Sequence, residues 1–279
     1  MIPYQTLHIY EISGKVQGSR AFFLKEDFIG CWNEGEVSFL FFSTPRDQEV
    51  EAFIQRKRFS LLSRNILDYK AWQAGEELKP FKVGNLIFSP PWENGEVGNG
   101  EVLIQIDPCV VFGTGYHFTT RSCLQALHEI YQKETPKVVL DLGTGSGILA
   151  LAAAKWGAER VLAIDCNELA VDTALRNVSS NKESERIDVK LGGAEDYIEE
   201  EAELVCANLP SQVIDSLLKK NSFYQKRWFI LSGFFAKDAE EIEERLNQES
   251  IEIYRKLRES NWVTLVGLKR SLEKRSTLP

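Results

Sequence analysis

Long apolar runs are missing from this 279-residue chain. Charges or glycines break every candidate well short of the roughly 18 to 20 residues that a membrane-spanning helix needs, so no membrane partner is expected. The five cysteines (Cys31, Cys109, Cys123, Cys166 and Cys206) include no C-x-x-C pair. Zinc and dithiol redox chemistry are therefore not indicated, no metal is expected, and most of these thiols read as small buried apolar side chains. A basic balance is missing as well. The net charge of -8 disfavours a general nucleic-acid binder, which must neutralise phosphates, so no direct nucleic-acid contact is expected and a basic protein partner fits better. The start "MIPYQTLHIYEISGK" lacks a basic segment followed by an apolar block, which gives the expectation of no secretory signal and a cytoplasmic location.

What is present is a globular composition, 43% apolar and 27% charged, long enough for one large domain or two ordinary ones. Residues 1–75 mix the alternating runs "FFLKEDFIGCW" and "EVSFLFFSTP" with a helically spaced "RDQEVEAFIQRKRF", and predict a small α+β unit. Residues 76–108 are rich in Gly and Pro, with strand-like "NLIF" and "EVLIQI", and read as a linker with some sheet of its own; its "PPWENGEVGNGE" suggests mobility. "TTRSCLQALHEIYQ" carries apolar positions on one side of a helix. From Lys137 onward, the strand candidates "VVLDLG", "RVLAID", "IDVKLG", "LVCANL" and "WFILSGF" alternate with helices starting near Ile148, Asn167, Ser211 and Asp238. That alternation predicts an α/β fold with a mostly parallel sheet covered on both faces. "IEIYRKLRES" and "NWVTLVGLKR" predict a terminal antiparallel hairpin, and the acidic "EEEAE" a solvated turn. Residues 109–279 thus form the third region.

The informative stretch is "VVLDLGTGSG" at 138–147. Open α/β sheets bind ligands beyond the C-terminal ends of their strands, and glycines there let the backbone approach without a Cβ in the way. Gly143, Gly145 and Gly147 fall as G-x-G-x-G, not as the G-x-G-x-x-G of dinucleotide sites. Asp141 precedes the loop, and Asp165 ends the next strand, where a carboxylate can accept ribose hydroxyls. Two acidic strand ends about a glycine loop favour an adenosyl ligand without a pyrophosphate. A bare glycine turn would also explain the loop alone, and Asp165 or Asn167 could instead cap the following helix. Asn208, ending the fourth strand candidate in "VCANLP", would aim an amide into the same crevice.

Together these residues resemble the class I S-adenosylmethionine-dependent methyltransferases, with "LDLGTGSG" as cofactor loop, "AID" as ribose strand and "ANLP" beside the reaction centre. Upstream, "IDPCVVFGTGYHFTTRSCLQAL" resembles the pre-loop motif of the PrmA-type ribosomal protein methyltransferases, roughly F-G-T-G-x-H-P-T-T, with Phe118 in place of its proline. "PFKVGNLIFSPPWE", "LSGFFAKDAEEI" and "NWVTLVGLKR" extend the match over 65–279, while residues 1–64 match loosely, in size and in "FIGCW" and "EVSFLFF".

The resemblance implies a Rossmann-like catalytic domain, a small N-terminal substrate-recognition domain, and S-adenosylmethionine as cofactor. It implies methyl transfer to amino groups, lysine side chains or an N-terminal amine, of a large-subunit ribosomal protein; a monomer is expected. By the same carry-over Thr120, Gly143 and Gly145 contact the cofactor, Asp165 its ribose, and Asn208 lies by the methyl group, while Phe112, Gly113, Thr114 and His117 form the lid or wall. His117 could instead be a hydrogen-bonded structural histidine, and Thr119 and Thr120 could cap the helix. The alternatives are a lysine methyltransferase of the same fold with a non-ribosomal target and a non-catalytic S-adenosylmethionine-binding module. "NLPS" does not match the N-P-P-Y of the release-factor glutamine methyltransferases, and the glycine spacing disfavours a nicotinamide dehydrogenase.

Overall fold

A computed structural model of the chain describes residues 5–19, 23, 27–72 and 78–270, and builds three sheets in chain order. The first comprises β1 (Thr6–Ser13), β2 (Phe28–Glu34), β3 (Val37–Phe42) and β4 (Leu61–Asp68), ordered β2-β3-β1-β4, with α1 (Asp47–Lys57) before β4 and a short α2 (Tyr69–Trp72) after it. The front of "FFLKEDFIGCW" falls largely outside the described residues. Alternation along these strands serves two cores. Tyr10, Ile12, Leu40 and Phe42 pack under Val50 and Phe53 of α1. Leu7, Ile9, Ile29 and Phe41 point the other way, onto Val110, Val111, Leu169 and Ala170 of the rest of the chain.

The second sheet orders β5 (Phe81–Val83), β6 (Leu86–Ser89) and β7 (Val102–Gln105) side by side, β5 with β6 antiparallel and β6 with β7 parallel. Two of these strands match the pieces legible in the linker; "FKV" is a third. Their apolar residues Leu86, Phe88 and Ile104 are buried in the same cluster as Leu124 and Leu127 of α3 (Phe118–Tyr131), so the linker sheet belongs to the main core.

The third sheet alternates with helices: β8 (Val138–Leu142), α4 (Ile148–Trp156), β9 (Arg160–Asp165), α5 (Glu168–Ser180), β10 (Ile187–Leu191), α6 (Ala194–Tyr197), β11 (Leu204–Asn208), α7 (Ser211–Leu217), β12 (Trp228–Phe235), α8 (Ala236–Gln248), β13 (Ile251–Glu259) and β14 (Trp262–Lys269). Its order is β10-β9-β8-β11-β12-β14-β13, parallel from β10 to β12 and closed by the antiparallel hairpin. α8 begins two residues before the expected Asp238, at Ala236. Strand side chains alternate between layers: Val139, Val161 and Ala163 face α3 and α4, whereas Leu140, Leu142, Leu162 and Ile164 face the layer holding Ile214 of α7 and Ala239 of α8. Both faces are covered, which is why these strands read as unbroken apolar runs. No helix among the described residues is long and apolar enough to cross a membrane.

α5 joins the three sheets. Its cap and first turn meet the N-terminal sheet, where Gly18 N–H donates to the Glu168 carboxylate at 3.2 Å and Leu169 lies against Gly30 of β2. At its other end two asparagines imitate a strand. The Asn181 amide exchanges hydrogen bonds with Gln105 N–H (2.9 Å) and C=O (2.7 Å), and Asn177 does the same with Asp107 (3.0 and 2.9 Å) while also donating to Ser146 C=O at 2.8 Å.

Candidate functional site

The chain runs outward from β8 through β9 to β10 and then returns to the other flank of β8 with β11. Strand order therefore reverses between β8 and β11, where an open α/β sheet leaves a crevice at its C-terminal edge. A cleft of about 940 Å³ lies there.

Its floor is the glycine loop after β8. Gly143 and Thr144 N–H both donate to Ile164 C=O (2.8 and 2.9 Å), which folds the loop back over β9. The second glycine motif, at 112–115, lies on top of the first: Ser146 N–H donates to Phe112 C=O at 3.0 Å and the Ser146 hydroxyl to Gly113 C=O at 2.6 Å. A Cβ at Gly145 would stand 2.6 Å from the Phe112 carbonyl oxygen, and one at Gly143 would stand 2.3 Å from Leu209 Cδ2.

Asp165 takes the wall position at the end of β9. One carboxylate oxygen accepts Gly145 N–H at 3.0 Å and the other Asn167 N–H at 3.0 Å, and burial raises its pKa. The helix cap is Asn167, whose Oδ1 accepts Leu169 N–H at 2.9 Å, so the capping role open in the sequence between Asp165 and Asn167 falls to Asn167. Asp141 behaves differently. It lies one residue inside β8, fully buried and outside the cleft, with one oxygen accepting the Thr144 hydroxyl at 2.6 Å and the other unpartnered. Burial pushes its pKa up to about 6. It supports the loop from beneath rather than bracketing it at a strand end.

On the far side, Asn208 ends β11 in register with Ser232 of β12, and its buried Oδ1 has no partner. Thr120, in the first turn of α3, is likewise buried with an unpartnered hydroxyl. Three of the five buried side-chain polar atoms without a partner among the described residues, on Thr120, Asp141 and Asn208, thus fall in or just under this one cleft. Unmet hydrogen-bonding capacity concentrated in this way marks a site finished by a ligand. Behind Asn208 a hydroxyl chain, Ser122 to Thr264 (2.5 Å) to Ser232 (2.6 Å), pins α3 to β14 and β12.

His117 caps α3. Its Nδ1 accepts Thr119 N–H at 3.3 Å and lies 2.8 Å from the Thr119 hydroxyl, so neither Thr119 nor Thr120 is the cap. The acceptor role requires an unprotonated Nδ1, in line with a pKa lowered by burial. Phe118 therefore stands at the first helical position, where proline's fixed φ and missing N–H cost nothing; a cap one residue earlier lets the helix start without it.

Phe112, Gly113, His117, Thr120, Gly143, Gly145, Asp165 and Asn208 all line the cleft. Thr114 does not. Its hydroxyl accepts Tyr116 N–H at 3.2 Å and it faces a separate small pocket with Phe81, Pro108 and Tyr116. Several lining residues were not singled out in the sequence: Trp262 at the hairpin tip, Gly233 in β12, Lys15 and Gln17 in the loop after β1, and Trp32 in β2. Only the aromatic beside the hairpin turn carried a local signal; the others reach the cleft through long-range packing.

Comparison with known proteins bears on the same architecture. The family model described as Ribosomal protein L11 methyltransferase (PrmA) matches residues 11–270. A Ribosomal protein L11 methyltransferase of Clostridium perfringens is 37% identical over 192 residues, covering 68% of this chain and 60% of that protein. One of Syntrophomonas wolfei is 38% identical over 193 residues, covering 68% and 62%. The matched stretch thus spans about three fifths of those relatives' length. A crystal structure of a ribosomal protein L11 methylase from Lactobacillus delbrueckii subsp. bulgaricus superposes with a TM-score of 0.61 at 27% identity, covering 69% of this chain and all of that one. The fold is that of class I methyltransferases, a Rossmann-like, mostly parallel sheet with a terminal antiparallel hairpin, preceded by a small α+β sheet unit. With a family model matched along nearly its whole described length, the chain belongs to the ribosomal protein L11 methyltransferase (PrmA) family.

Proposed function

We propose that this chain is a protein methyltransferase that uses S-adenosylmethionine to methylate amino groups, lysine side chains or an N-terminal amine, of a large-subunit ribosomal protein. The observation that carries this reading is the convergence of the glycine loop, the Asp165 carboxylate and the unpartnered Thr120 and Asn208 oxygens at the strand reversal. The residues present fit the cofactor: a cradle with no room for a Cβ, a carboxylate with lone pairs left for a ribose diol, and polar atoms awaiting partners.

When bound, S-adenosylmethionine supplies an electrophilic methyl group; the chain supplies placement. Gly143 and Gly145 bring backbone close to the ligand, Asp165 takes its ribose, and Thr120 and Asn208 hold its reactive end. Asn208 Oδ1 can accept an N–H of the incoming amine and so turn the nitrogen lone pair inward. A free lysine, with a pKa near 10.4, arrives as ammonium. The apolar enclosure disfavours that charge, and the proton leaves to solvent on entry. His117 is not the base for it, since its free Nδ1 is occupied by Thr119 N–H. In the same reading residues 1–75 select the substrate, 76–108 connect, and 109–279 carry the chemistry, in a cytoplasmic monomer that contacts no nucleic acid directly.

The test is incubation of the full chain with methyl-labelled S-adenosylmethionine and ribosomal proteins from its own source. One labelled protein of large-subunit size is expected, and the Asn208→Ala chain should label it at least about tenfold more slowly, the loss of one hydrogen bond made to the reacting group. Absence of label with the native chain, or unchanged labelling with Asn208→Ala, would refute the assignment.

A further inference from the structure

One wall of the cleft is not built by the sheet that carries the glycine loop. Lys15, Gln17 and Asn33 line it from the N-terminal unit. Two observations place this wall at the Asp165 end. Gly18 N–H donates to the carboxylate of Glu168, three residues after Asp165, and the Lys15 charge is near enough to act on the thiol of Cys166, the residue next to Asp165.

Residues 14–18 form a strap whose path is fixed from both sides. Val16 anchors it: the side chain is buried with Tyr10, Leu40 and Phe42, the N–H donates to the Ser38 hydroxyl at 2.9 Å, and the C=O accepts the Asn33 amide at 2.8 Å. Gly14 N–H donates to Glu36 C=O at 2.7 Å, and Gly18 closes the far end on Glu168 at 3.2 Å. Side chains thus satisfy backbone groups that no strand ladder reaches, and an irregular segment keeps one conformation. With Val16 turned into the N-terminal core, its neighbours Lys15 and Gln17 are turned out of it, and both line the cleft with exposed polar ends. Neither has a hydrogen-bond or ion-pair partner among the described residues.

The direction of the cofactor across the cleft decides what this strap meets. Its reactive end goes to Asn208 of β11 and its ribose to Asp165 of β9, so its base lies further along, toward β10, where Leu191, Gly193 and Glu195 line the cleft. Asp165, Glu168 and Glu195 make that end acidic, and Lys15 is a cation facing it. A ribose and a purine offer hydroxyls, ring nitrogens and an amino group. An ammonium brings three donors to them, and an amide brings a donor and an acceptor side by side, the pattern that pairs with an adenine edge.

We propose that the strap completes the cofactor site, with Lys15 and Gln17 binding the adenosyl part of S-adenosylmethionine opposite Asp165. The N-terminal unit then holds the cofactor as well as the substrate, and cofactor exchange requires the strap to part from α5. This rests on the methyl-transfer reading above and adds binding residues from outside the catalytic sheet.

The experiment uses the full chain and two probes, S-adenosylhomocysteine and methylthioadenosine, which keeps the adenosyl part and lacks the amino-acid part. Calorimetric titration should show both binding to the native chain. Lys15→Met and Gln17→Ala should each weaken both probes by the same factor, roughly two- to tenfold, the range of one hydrogen bond. Lys15→Arg, which keeps charge and donors, should stay within about twofold of the native chain. Both side chains are exposed, so Tm should stay within about 2 °C, which separates a lost contact from lost folding. Unchanged affinity in either variant, a loss confined to S-adenosylhomocysteine, a loss seen only with a fallen Tm, or a native chain that binds S-adenosylhomocysteine but not methylthioadenosine would overturn the proposal. If the native chain binds no S-adenosylhomocysteine, the methyl-transfer reading falls first; if it binds and the variants match it, the strap assignment falls alone.

Discussion

Replacing Gly145 and Gly143 separately by alanine sets two neighbouring glycines against each other, because what their missing Cβ atoms would meet differs. Both sit at left-handed backbone, φ +56° for Gly145 and +74° for Gly143, where an L side chain costs about 1–2 kcal/mol. At Gly143 the obstacle is Leu209 Cδ2, the far end of a side chain that can change rotamer, so about 1–2 kcal/mol is the whole expected loss. At Gly145 the obstacle is the Phe112 carbonyl oxygen, which also accepts Ser146 N–H. It can yield only if the upper glycine motif moves as a unit, and overpacking of this kind adds about 1–3 kcal/mol, for a total of about 2–5 kcal/mol. At about 2–4 °C per kcal/mol for a chain near this size, Gly145→Ala should lower Tm by about 4–20 °C and Gly143→Ala by about 2–8 °C. Thermal unfolding by circular dichroism reads both, and calorimetric titration with S-adenosylhomocysteine should show the larger loss of affinity for Gly145→Ala. If Gly145→Ala were no less stable than Gly143→Ala, the two glycine motifs would not be stacked as described and the loop geometry argued here would be wrong.

Other outcomes follow from the same site. Asp165→Asn replaces one of two accepting oxygens with an N–H₂ facing a backbone donor; S-adenosylhomocysteine affinity, measured by calorimetry, should fall about 10- to 100-fold, and an unchanged value would remove Asp165 from the ligand wall. For Asp141, burial lifts the folded-state pKa from 3.8 to about 6, so its favourable contribution exists in acid and disappears as pH rises through about 6. Asp141→Asn, which keeps an acceptor for Thr144, should therefore gain on the native chain in urea unfolding between pH 4 and 7 by at most ~3 kcal/mol; a pH-independent difference would contradict this. Glu134 is held near pKa 2 by Arg227 and the Trp228 indole, so its contribution is present above about 4.5 and lost as pH falls toward 2. Both charged side chains of that pair are more than a third exposed, so Glu134→Gln should cost only about 0.5–1 kcal/mol in urea unfolding and less in high salt.

The sequence was most legible where local pattern and tertiary role coincide. β8, β9, β11 and β12 are buried on both faces, so their apolar runs stand out, and Gly143, Asp165 and Asn208 sit at strand ends that the runs themselves define. Three kinds of feature were out of reach. Thr114 shares a motif with Phe112 and Gly113, yet its side chain faces a separate pocket, a matter that residue spacing does not encode. Asp141 differs from a strand-end acid by a single residue, and in a strand one residue exchanges cleft for core. Lys15, Trp32 and Trp262 lie more than 50 residues from the glycine loop, Asp165 and Asn208, and enter the cleft only because the N-terminal sheet and the terminal hairpin fold back onto it. Thr119 and Thr120, open as alternative caps of α3, yield that place to the His117 ring, which lies between two aromatic neighbours and accepts Thr119 N–H.

The asparagine clamps on α5 limit what sequence change this helix can absorb. Leu169 fixes one end against Gly30, and Asn177 and Asn181 fix the other against Asp107 and Gln105, so the rotation between Leu169 and Asn177 is set from outside the helix. Each inserted or deleted residue would turn one end by about 100° and shift it by about 1.5 Å relative to the other, which breaks one set of contacts outright. Substitutions on the outward face, at a position such as the 45%-exposed Leu175, leave that phase untouched. α5 is therefore a segment of open composition and closed length, and natural variants of this chain should differ freely in its outer residues while keeping eight steps from Leu169 to Asn177.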